Sequence, residues 1–271
     1  MNAKKLLLLA AASTMMLASC GQSLTRAEAI EEMDKISKAE AKAQTKLTYV
    51  KEWKEENTGT KIKGKKTKIY DGEKKATHVV NDYTAEGKAH KEEAWIGVTG
   101  TTYTFVLKDG DTKQYVQVES TNVLLTVALE AVTKAAGSIE THLANSKSHA
   151  NKANKYGFCG FLSRFDEEGK IAAGGSVSAN VTCKDESYVK NGEGSIACTY
   201  NAYYEGQGDE VMKAEWKDNL LVSKSNAKLT SSGYGFETWN WGKGSVEVKT
   251  DGFTKVEDNV VTFITDFAAI L

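Results

Sequence analysis

The sequence predicts a mainly β protein of the α+β class: a curved antiparallel sheet or half-barrel with an N-terminal helix and one mid-chain apolar helix. Short β-prone runs separated by closely spaced turn signals fill residues 46–118 and again 156–267. This spacing favours an antiparallel meander over βαβ units. Between the two regions lies the longest helical pattern, Ser120 to about Ala144. Because no repeat or linker interrupts the sequence, we predict one domain over residues 24–271.

The first 19 residues have the layout of a secretory signal peptide. Lys4 and Lys5 precede an apolar run from Leu6 to Leu17, and small residues follow. A basic n-region, a short hydrophobic h-region and small residues at the cleavage site are typical of this signal. The run of about 12 residues is too short to cross the ~30 Å hydrocarbon core as a helix. We therefore predict an exported protein.

The end of this segment, Leu17-Ala18-Ser19-Cys20, resembles the lipobox of bacterial lipoproteins. The resemblance implies cleavage before Cys20 and attachment of lipid, such as palmitate, to the Cys20 sulfur. Residues 20–23 would then be a lipidated tether. The protein would be anchored to the outer face of the cell membrane, or in the periplasm or outer membrane of a host with two membranes. The alternative is an ordinary secreted protein in which Cys20 is incidental.

A helix is predicted directly after the tether. Thr25 and Glu28 have the spacing of a capping box, and the helix should run to about Gln44. Its narrow apolar stripe favours packing on the sheet over lying in a membrane surface, since it has no aromatic residues. The stripe consists of Ile30, Met33 and Ile36.

The strands follow on either side of the mid-chain helix. In the run from Thr101 to Leu107, aromatic and aliphatic side chains alternate with threonines, which indicates a sheet with one buried face. The predicted strands are 47–50, 67–70, 76–83, 94–98, 101–107, 113–118, 157–165, 171–183, 188–204, 210–216, 220–229, 236–248 and 260–267.

The mid-chain helix has a wide apolar face, which predicts burial against the concave side of the sheet. Leu124 and Val127 lie on that face and are candidate ligand-binding residues. The polar stretch from Ser146 to Lys155 is predicted to be a loop.

Three cysteines remain after Cys20. Cys183 and Cys198 flank a predicted turn at Asn191-Gly192 and are a candidate disulfide, because export exposes a chain to oxidising conditions. Counting outward from the turn makes them diagonal neighbours, so direct pairing needs a bulge or a longer loop. The alternative is three buried thiols. If Cys183 and Cys198 form the bridge, Cys159 is a free thiol.

The charges are nearly balanced, with 35 basic and 36 acidic residues, so no net field favours nucleic acid. Five lysines cluster in one predicted strand. We interpret them as charges that keep an edge strand from pairing with other chains. The alternative is contact with anionic lipid headgroups. They are Lys61, Lys63, Lys65, Lys66 and Lys68.

The sequence carries no zinc-protease motif, no nucleophile elbow and no dinucleotide fingerprint in a suitable context. We therefore predict no enzyme activity, no cofactor and no metal. His142 and His149 are seven residues apart, but a metal site needs more ligands, so we expect two solvated histidines.

An aromatic run from Tyr234 to Trp241 contains Trp239 and Trp241, which share a strand face by period two. The two tryptophans could line an apolar or sugar-binding surface, but an inward sheet face more often places them in the core.

The predicted order of elements resembles the bacterial lipoprotein-carrier (LolA-like) fold, whose lipoprotein relatives include LolB and the LppX/LprG group. That resemblance implies a curved sheet wrapped around helices, with acyl chains held in between. It favours a membrane-anchored lipoprotein that binds lipid in the concave face, with Leu124, Val127, Trp239 and Trp241 as candidates. The alternative is a surface or sensory lipoprotein with a fully packed sheet and a protein partner. The two differ in whether helix 120–144 fills the concavity.

Overall fold

The computed structural model describes residues 21–56, 61–162, 181–204, 208–228 and 234–271. Within these ranges, thirteen strands form a curved, unclosed sheet that is antiparallel except at one edge, accompanied by four helices. The predicted fold class is confirmed. Residues 1–20, including the predicted lipidation site Cys20, lie outside the described residues, as does most of the predicted strand 171–183.

The elements in chain order are β1 (Gln22–Leu24), α1 (Arg26–Lys38), β2 (Lys46–Glu56), β3 (Lys61–Asp71), β4 (Ala76–Ala85), β5 (Lys88–Thr99), β6 (Thr102–Asp109), β7 (Thr112–Glu119), α2 (Val123–Ala135), α3 (Ile139–Leu162), β8 (Val181–Gly192), β9 (Ser195–Tyr204), β10 (Gly208–Lys217), β11 (Leu220–Lys228), β12 (Tyr234–Trp241), β13 (Thr254–Lys255) and α4 (Val260–Ile270).

The sheet consists of two meanders placed side by side. Strands β2 to β7 and strands β8 to β12 are each antiparallel neighbours in chain order, and the β12–β2 ladder joins the two sets. The short strand β1 extends the β8 edge, and β13 pairs in parallel with β7 at the other edge. The predicted antiparallel meander is therefore present twice.

One end of the sheet, which we call the upper end, carries the turns 72–75, 100–101, 193–194 and 218–219. Backbone hydrogen bonds run along it, from Gly72 N–H to Thr45 O at 2.7 Å and from Gly242 N–H to Lys46 O at 2.8 Å. Strand β1 begins at this end, since Gln22 lies opposite Lys190, shortly before the turn 193–194. Strand β7 ends here, so α2 also starts at the upper end.

Helix α1 begins as predicted. Thr25 and Glu28 form the reciprocal capping box, and Met33 and Ile36 are buried. The helix ends at Lys38, well before the predicted end at Gln44. Residues 39–44 contain alanine and polar residues only, and a helix without an apolar face gains no tertiary packing to hold its last turns.

The mid-chain helix is two helices, which corrects the prediction of one helix over 120–144. Gly137, with φ +91°, separates α2 from α3. Helix α3 continues through the stretch from Ser146 to Lys155 that was predicted to be a loop. Small side chains, including the buried Ala150 and Ala153, let α3 pack closely against its neighbours. Beyond Ala144 the apolar pattern is too sparse to indicate that the helix continues.

Two further strand predictions are wrong. Residues 157–162 belong to α3, and the predicted strand 260–267 is helix α4. The residues of α4 are rich in β-branched side chains, which favour strands in isolation. Phe263, Phe267 and Ile270 recur at intervals of three and four, however, and all three are buried on one helix face. Tertiary packing outweighs local propensity here.

The C-terminal segment wraps around the first meander. After Trp241 the chain crosses the convex face, where Val246 N–H donates to Asp71 Oδ2 at 3.3 Å. Farther along, the Phe253 ring lies 6.2 Å from that of Trp95. The chain then pairs with β7 as β13, and α4 returns over the concave face. The predicted strand over 236–248 therefore ends at Trp241.

Two apolar clusters form the core. The first lies between the β8–β12 half of the sheet and helices α1 and α3, and contains Met33, Tyr200 and Trp216. The second lies under α2 and α4, and contains Phe105 and Phe267. Lys66 and Lys68 of β3 share a strand face with Tyr70 by period two, and both side chains are partly buried. These lysines stand on the concave face where the two clusters meet.

The lysine-rich strand is not an edge strand, which corrects the prediction. Strand β3 pairs along its whole length with β2 and with β4. Lys61, Lys63 and Lys65 therefore lie on one sheet face and Lys66 and Lys68 on the other. The edges of the described sheet are formed by β1 and β13.

The candidate disulfide is not formed, because Cys198 is a free, buried thiol. Its strand register places Cys198 opposite Tyr188 and Cys183 opposite Ala202. The two cysteines are thus separated by four ladder positions, roughly 13 Å along the strand, whereas a disulfide needs Cα atoms about 4.4–6.8 Å apart. The predicted turn at Asn191-Gly192 is wrong: the turn is Glu193-Gly194, and Gly192 lies opposite Ser195. This displaced turn changes the pairing from that expected, and register shifts at Lys190/Gly192 and Lys184/Ser187 offset it only in part. The side chains of Cys159 and Cys183 lie outside the described ones.

Candidate functional site

The four predicted ligand-binding residues occupy two separate places. Leu124 and Val127 lie on α2, above the second cluster, with 83% and 59% of their surfaces exposed. Trp239 is buried in the first cluster, and Trp241 packs against it half-buried. The structure does not bring these residues into one pocket, and the predicted burial of Leu124 and Val127 is wrong.

Helix α2 is apolar on two sides. Leu129 is buried against the sheet, and Leu125 and Val132 pack partly buried beside it. On the opposite side Val123 is 78% exposed, like Leu124 and Val127. We call Val123, Leu124 and Val127 the α2 apolar face. Periodicity identified an apolar helix but could not show that its hydrophobic surface is wider than the sheet can cover.

The ends of α2 are well defined. At the start, Asn122 Oδ1 accepts a hydrogen bond from Leu125 N–H at 3.0 Å. At the end, the Ala136 carbonyl accepts hydrogen bonds from Tyr70 Oη at 2.9 Å and from Lys68 Nζ at 3.4 Å. A cation near the last carbonyls of a helix is favourable. Burial, with a smaller effect of the neighbouring Lys66 charge, lowers the pKa of Lys68 to about 8.

Helix α4 ends in a similar way beside α2. Lys66 Nζ donates to the backbone oxygens of Ile270 and Leu271 at 3.3 and 3.0 Å. Asn81 Nδ2 also donates to Ile270 O, at 2.9 Å. Both helices that cover the first meander thus end over polar side chains of β3 and β4. These contacts hold the inner side of each helix to the concave face and leave the α2 apolar face exposed.

The predicted solvated histidines are both largely buried. His142 Nδ1 accepts a hydrogen bond from Trp239 Nε1 at 3.1 Å, and its ring lies 5.4 Å from Tyr49 and 5.2 Å from Tyr70. Burial, and then the charge of Lys68, lowers the pKa of His142 to about 4. Burial likewise lowers the pKa of His149 to about 4. His142 lies within the predicted helix 120–144, but the prediction ended this helix before His149 and did not pack this part of it against β12.

Around Trp239 the concave face is filled by side chains. Trp241 Nε1 donates to the Leu221 carbonyl at 3.0 Å, and Leu221 N–H donates to Ser146 Oγ at 2.7 Å. Helix α3 is thereby bonded directly to β11. The core interpretation of Trp239 therefore fits the structure better than a ligand-binding one.

A polar cleft of about 800 Å³ opens at the upper end of the sheet, between α1 and the β8–β9 turn. Glu32 accepts hydrogen bonds there from Lys35 at 2.6 Å and is paired with Lys190 at 2.8 Å. Hydrogen bonds from Lys190 and then Lys35 lower the pKa of Glu32. The ion pair between Glu32 and Lys190 attaches α1 to β8.

In the described part of the chain, no helix is both long and apolar enough to cross a membrane. The same residues contain no cluster of three or more His, Cys, Asp or Glu side chains that could hold a metal ion.

Comparison with known proteins assigns no family. No family model and no curated protein matches the chain. Among solved structures, a DUF1329 family protein from Desulfovibrio piger is 9% identical, with 83% of this chain and 94% of that chain covered, at a TM-score of 0.22. At that TM-score the likeness carries no inference about the fold or function of this chain.

Proposed function

We propose that this protein is an exported lipoprotein, anchored through lipid on Cys20, that binds a lipid or similar hydrophobic ligand without catalysis. The observation that carries this proposal is the α2 apolar face, on which three large aliphatic side chains are 59–83% exposed. Exposed apolar patches on soluble domains often mark interaction sites. The lipobox-like segment at Cys20 supports the anchor, and the lack of catalytic motifs supports a binding role.

The site proposed here is α2 rather than the centre of the concave face. Beneath α3 the space is occupied by Trp239, which donates a hydrogen bond to His142 of α3, and by the other residues of the first cluster. Helix α2, in contrast, has aliphatic side chains available on its outer surface, and covering one of them fully contributes about 1.5–3 kcal/mol. An acyl chain lying along α2 would contact Val123, Leu124 and Val127.

The test is lipid uptake by residues 21–271, which retain every described element. We expect native mass spectrometry after incubation with a long-chain fatty acid to show a bound ligand. Leu124→Asp and Val127→Asp should each weaken binding at least tenfold. Ala89→Asp, at an exposed position near the other end of the sheet, is the matched control and should bind normally. The absence of uptake by the unmodified chain would contradict the ligand proposal.

The anchor is tested separately on protein made in a bacterial host. We expect the N-terminal peptide of the membrane fraction to begin at a lipid-modified Cys20. A soluble chain with an unmodified Cys20 would contradict the anchor but not the ligand site.

A second candidate is a surface lipoprotein that binds a protein partner. The closely packed first cluster favours it, because side chains fill that half of the concave face. This candidate replaces the first if the unmodified chain takes up no lipid and cross-linking from α2 on cells captures one defined protein.

A further inference from the structure

We infer that the hydrophobic ligand of α2 is the bilayer itself: the α2 apolar face rests on the membrane to which the chain is anchored. This inference rests on the proposed function and names the occupant of the same site. It is carried by three observations on the described residues, which concern the position of the N-terminus, the position of α2 and the chemistry of the exposed side chains.

The first observation is that the chain has almost no free tether. Gln22 and Ser23, predicted as tether residues, belong to β1 and pair with Lys190 and Val189 of β8. Gly21 is already close-packed, since a Cβ at this position would collide with Val189 and Asn191. Lipid on Cys20 would thus be one residue, about 3.8 Å in Cα spacing, from the ordered sheet. An anchor at Cys20 would hold the upper end of the sheet at the membrane surface.

The second observation is that α2 starts at this same end. Strand β7 ends at Glu119, and Ser120 N–H donates to the Thr101 carbonyl in the upper-end turn 100–101 at 2.9 Å. Asn122 then caps the helix. Val123 and Leu124, the most exposed aliphatic side chains of α2, occupy its first two positions. Topology therefore places Gly21, which follows the predicted anchor residue, and the α2 apolar face at the same end of the sheet, near its two opposite edges.

Helix α4 adds a further apolar side chain in this region. Strand β13 runs parallel to β7, so the chain leaves it in the direction of the upper end before α4 begins. Val261, in the first turn of α4, is 79% exposed. Leu125 of α2 and Val260 of α4 both pack against the second cluster. Two helix starts thus present aliphatic residues near the upper end of β7.

The third observation is the chemistry of these surfaces. The α2 apolar face is purely aliphatic. The exposed Lys74 and Lys75 lie in the upper-end turn 72–75, and the exposed Lys243 follows the upper end of β12. Glu73 in the same region is paired with Lys46 at 2.9 Å. Acidic side chains at this end also include Glu119, which ends β7 and accepts hydrogen bonds from Thr101 and Thr102. Glu193 and Asp218 lie on the turns of the second meander. Exposed aliphatic side chains would gain from burial at a membrane surface, and nearby lysines would be attracted to anionic lipid headgroups.

The experiment measures water access to α2 on membranes. Full-length Leu124→Cys and Ala89→Cys variants are produced in bacteria, purified after processing and reconstituted into phosphatidylethanolamine–phosphatidylglycerol vesicles. Reaction with a water-soluble maleimide is quantified on the peptide that carries each new cysteine, so the native cysteines do not interfere. We expect position 124 to react at least tenfold more slowly than position 89 in vesicles, and at a comparable rate in residues 21–271 in buffer. Val127→Cys repeats the test on the same face.

Equal rates at positions 124 and 89 in vesicles, with Cys20 lipidated, would overturn the inference. The proposed function would stand if residues 21–271 still bound fatty acid through α2. Protection of position 124 in cells but not in vesicles would also overturn the inference, because a protein would then cover α2. An unmodified Cys20 would remove the anchor and the inference together.

Discussion

The indole nitrogen of Trp239 donates a hydrogen bond to Nδ1 of His142 at 3.1 Å, joining β12 at the centre of the sheet to helix α3. Because Nδ1 is the acceptor, His142 must be neutral at this nitrogen. This hydrogen bond is a polar contact beside the first core cluster. Protonation of Nδ1 at low pH would remove the acceptor and break it.

The first prediction follows from this contact. The folded pKa of His142 is about 4, lowered by burial and then by Lys68, against 6.5 for an ordinary histidine. Between these values the unfolded chain binds more protons than the folded chain, so the free energy of unfolding should fall as the pH falls. We expect His142 to contribute a loss of about 1–2 kcal/mol between pH 7 and pH 5. His149 adds a loss in the same direction.

Urea unfolding at the two pH values measures this loss. The His142→Gln variant keeps an acceptor near Trp239 and should show a smaller pH dependence than the unmodified protein. An identical dependence in the two proteins would show that His142 does not contribute.

The second prediction concerns the junction of α2 and α3. Gly137 has φ +91°, and a Cβ there would lie 2.6 Å from Tyr70 Oη. Gly137→Ala should therefore cost more than the ~1 kcal/mol of backbone strain alone. Gly100→Ala is the matched control, because Gly100 has φ +61° and open space around it.

A double-mutant cycle separates strain from collision. In a Tyr70→Phe background the colliding hydroxyl is gone, so Gly137→Ala should cost less there than in the unmodified protein. Equilibrium urea unfolding of the four proteins gives the coupling free energy. A coupling of zero would mean that the backbone moves to avoid Tyr70.

The third prediction concerns the attachment of α4. Phe267 is fully buried, and its ring meets Phe105 edge-on with centroids 5.3 Å apart. Phe267→Ala should lower the free energy of unfolding by about 3–5 kcal/mol, and Phe267→Leu by less. Val261→Ala, at an exposed position of the same helix, should change it by no more than ~0.5 kcal/mol. Equal effects at the two positions would contradict the packing of α4 described here.

The fourth prediction concerns Cys198. This thiol is free, and burial raises its pKa well above the usual value. A buried, protonated thiol is a poor nucleophile. We expect iodoacetamide to modify Cys198 at least a hundredfold more slowly in the native protein than in urea, as measured on the tryptic peptide. A Cys183–Cys198 linked peptide in a non-reducing digest would contradict the register of β8 and β9.

The sequence predicts the strands and the start of α1 better than the later helices. Alternating side chains, as in Tyr103 and Phe105, indicate a strand whatever lies on its buried face. Helices α3 and α4 are held by contacts between distant parts of the chain, such as Asn154 with Asp34 and Phe267 with Phe105. The hydrophobic pattern of a short segment does not reveal partners that are distant in sequence. For this reason residues 146–155 were assigned to a loop and 260–267 to a strand.

The candidate site was predictable only in part. Leu124 and Val127 were identified correctly as apolar helix residues, but which side of α2 the sheet covers depends on where Leu129 docks. Strand alternation favoured a core position for Trp239, and its burial is confirmed. Its selection as a ligand-binding candidate stays a prediction. Its partner His142 was not found, because the two residues are 97 positions apart.

The path of the C-terminal segment sets an order of assembly. During synthesis, strands β2 to β7 emerge before the second meander, and as consecutive neighbours they can pair at once. Their apolar inner face, including Phe105, is covered by α4, which emerges last of the described elements. The apolar inner face of β2 to β7 therefore stays exposed until α4 has been synthesised and can pack on it. A nascent chain in this state is open to aggregation or to capture by chaperones.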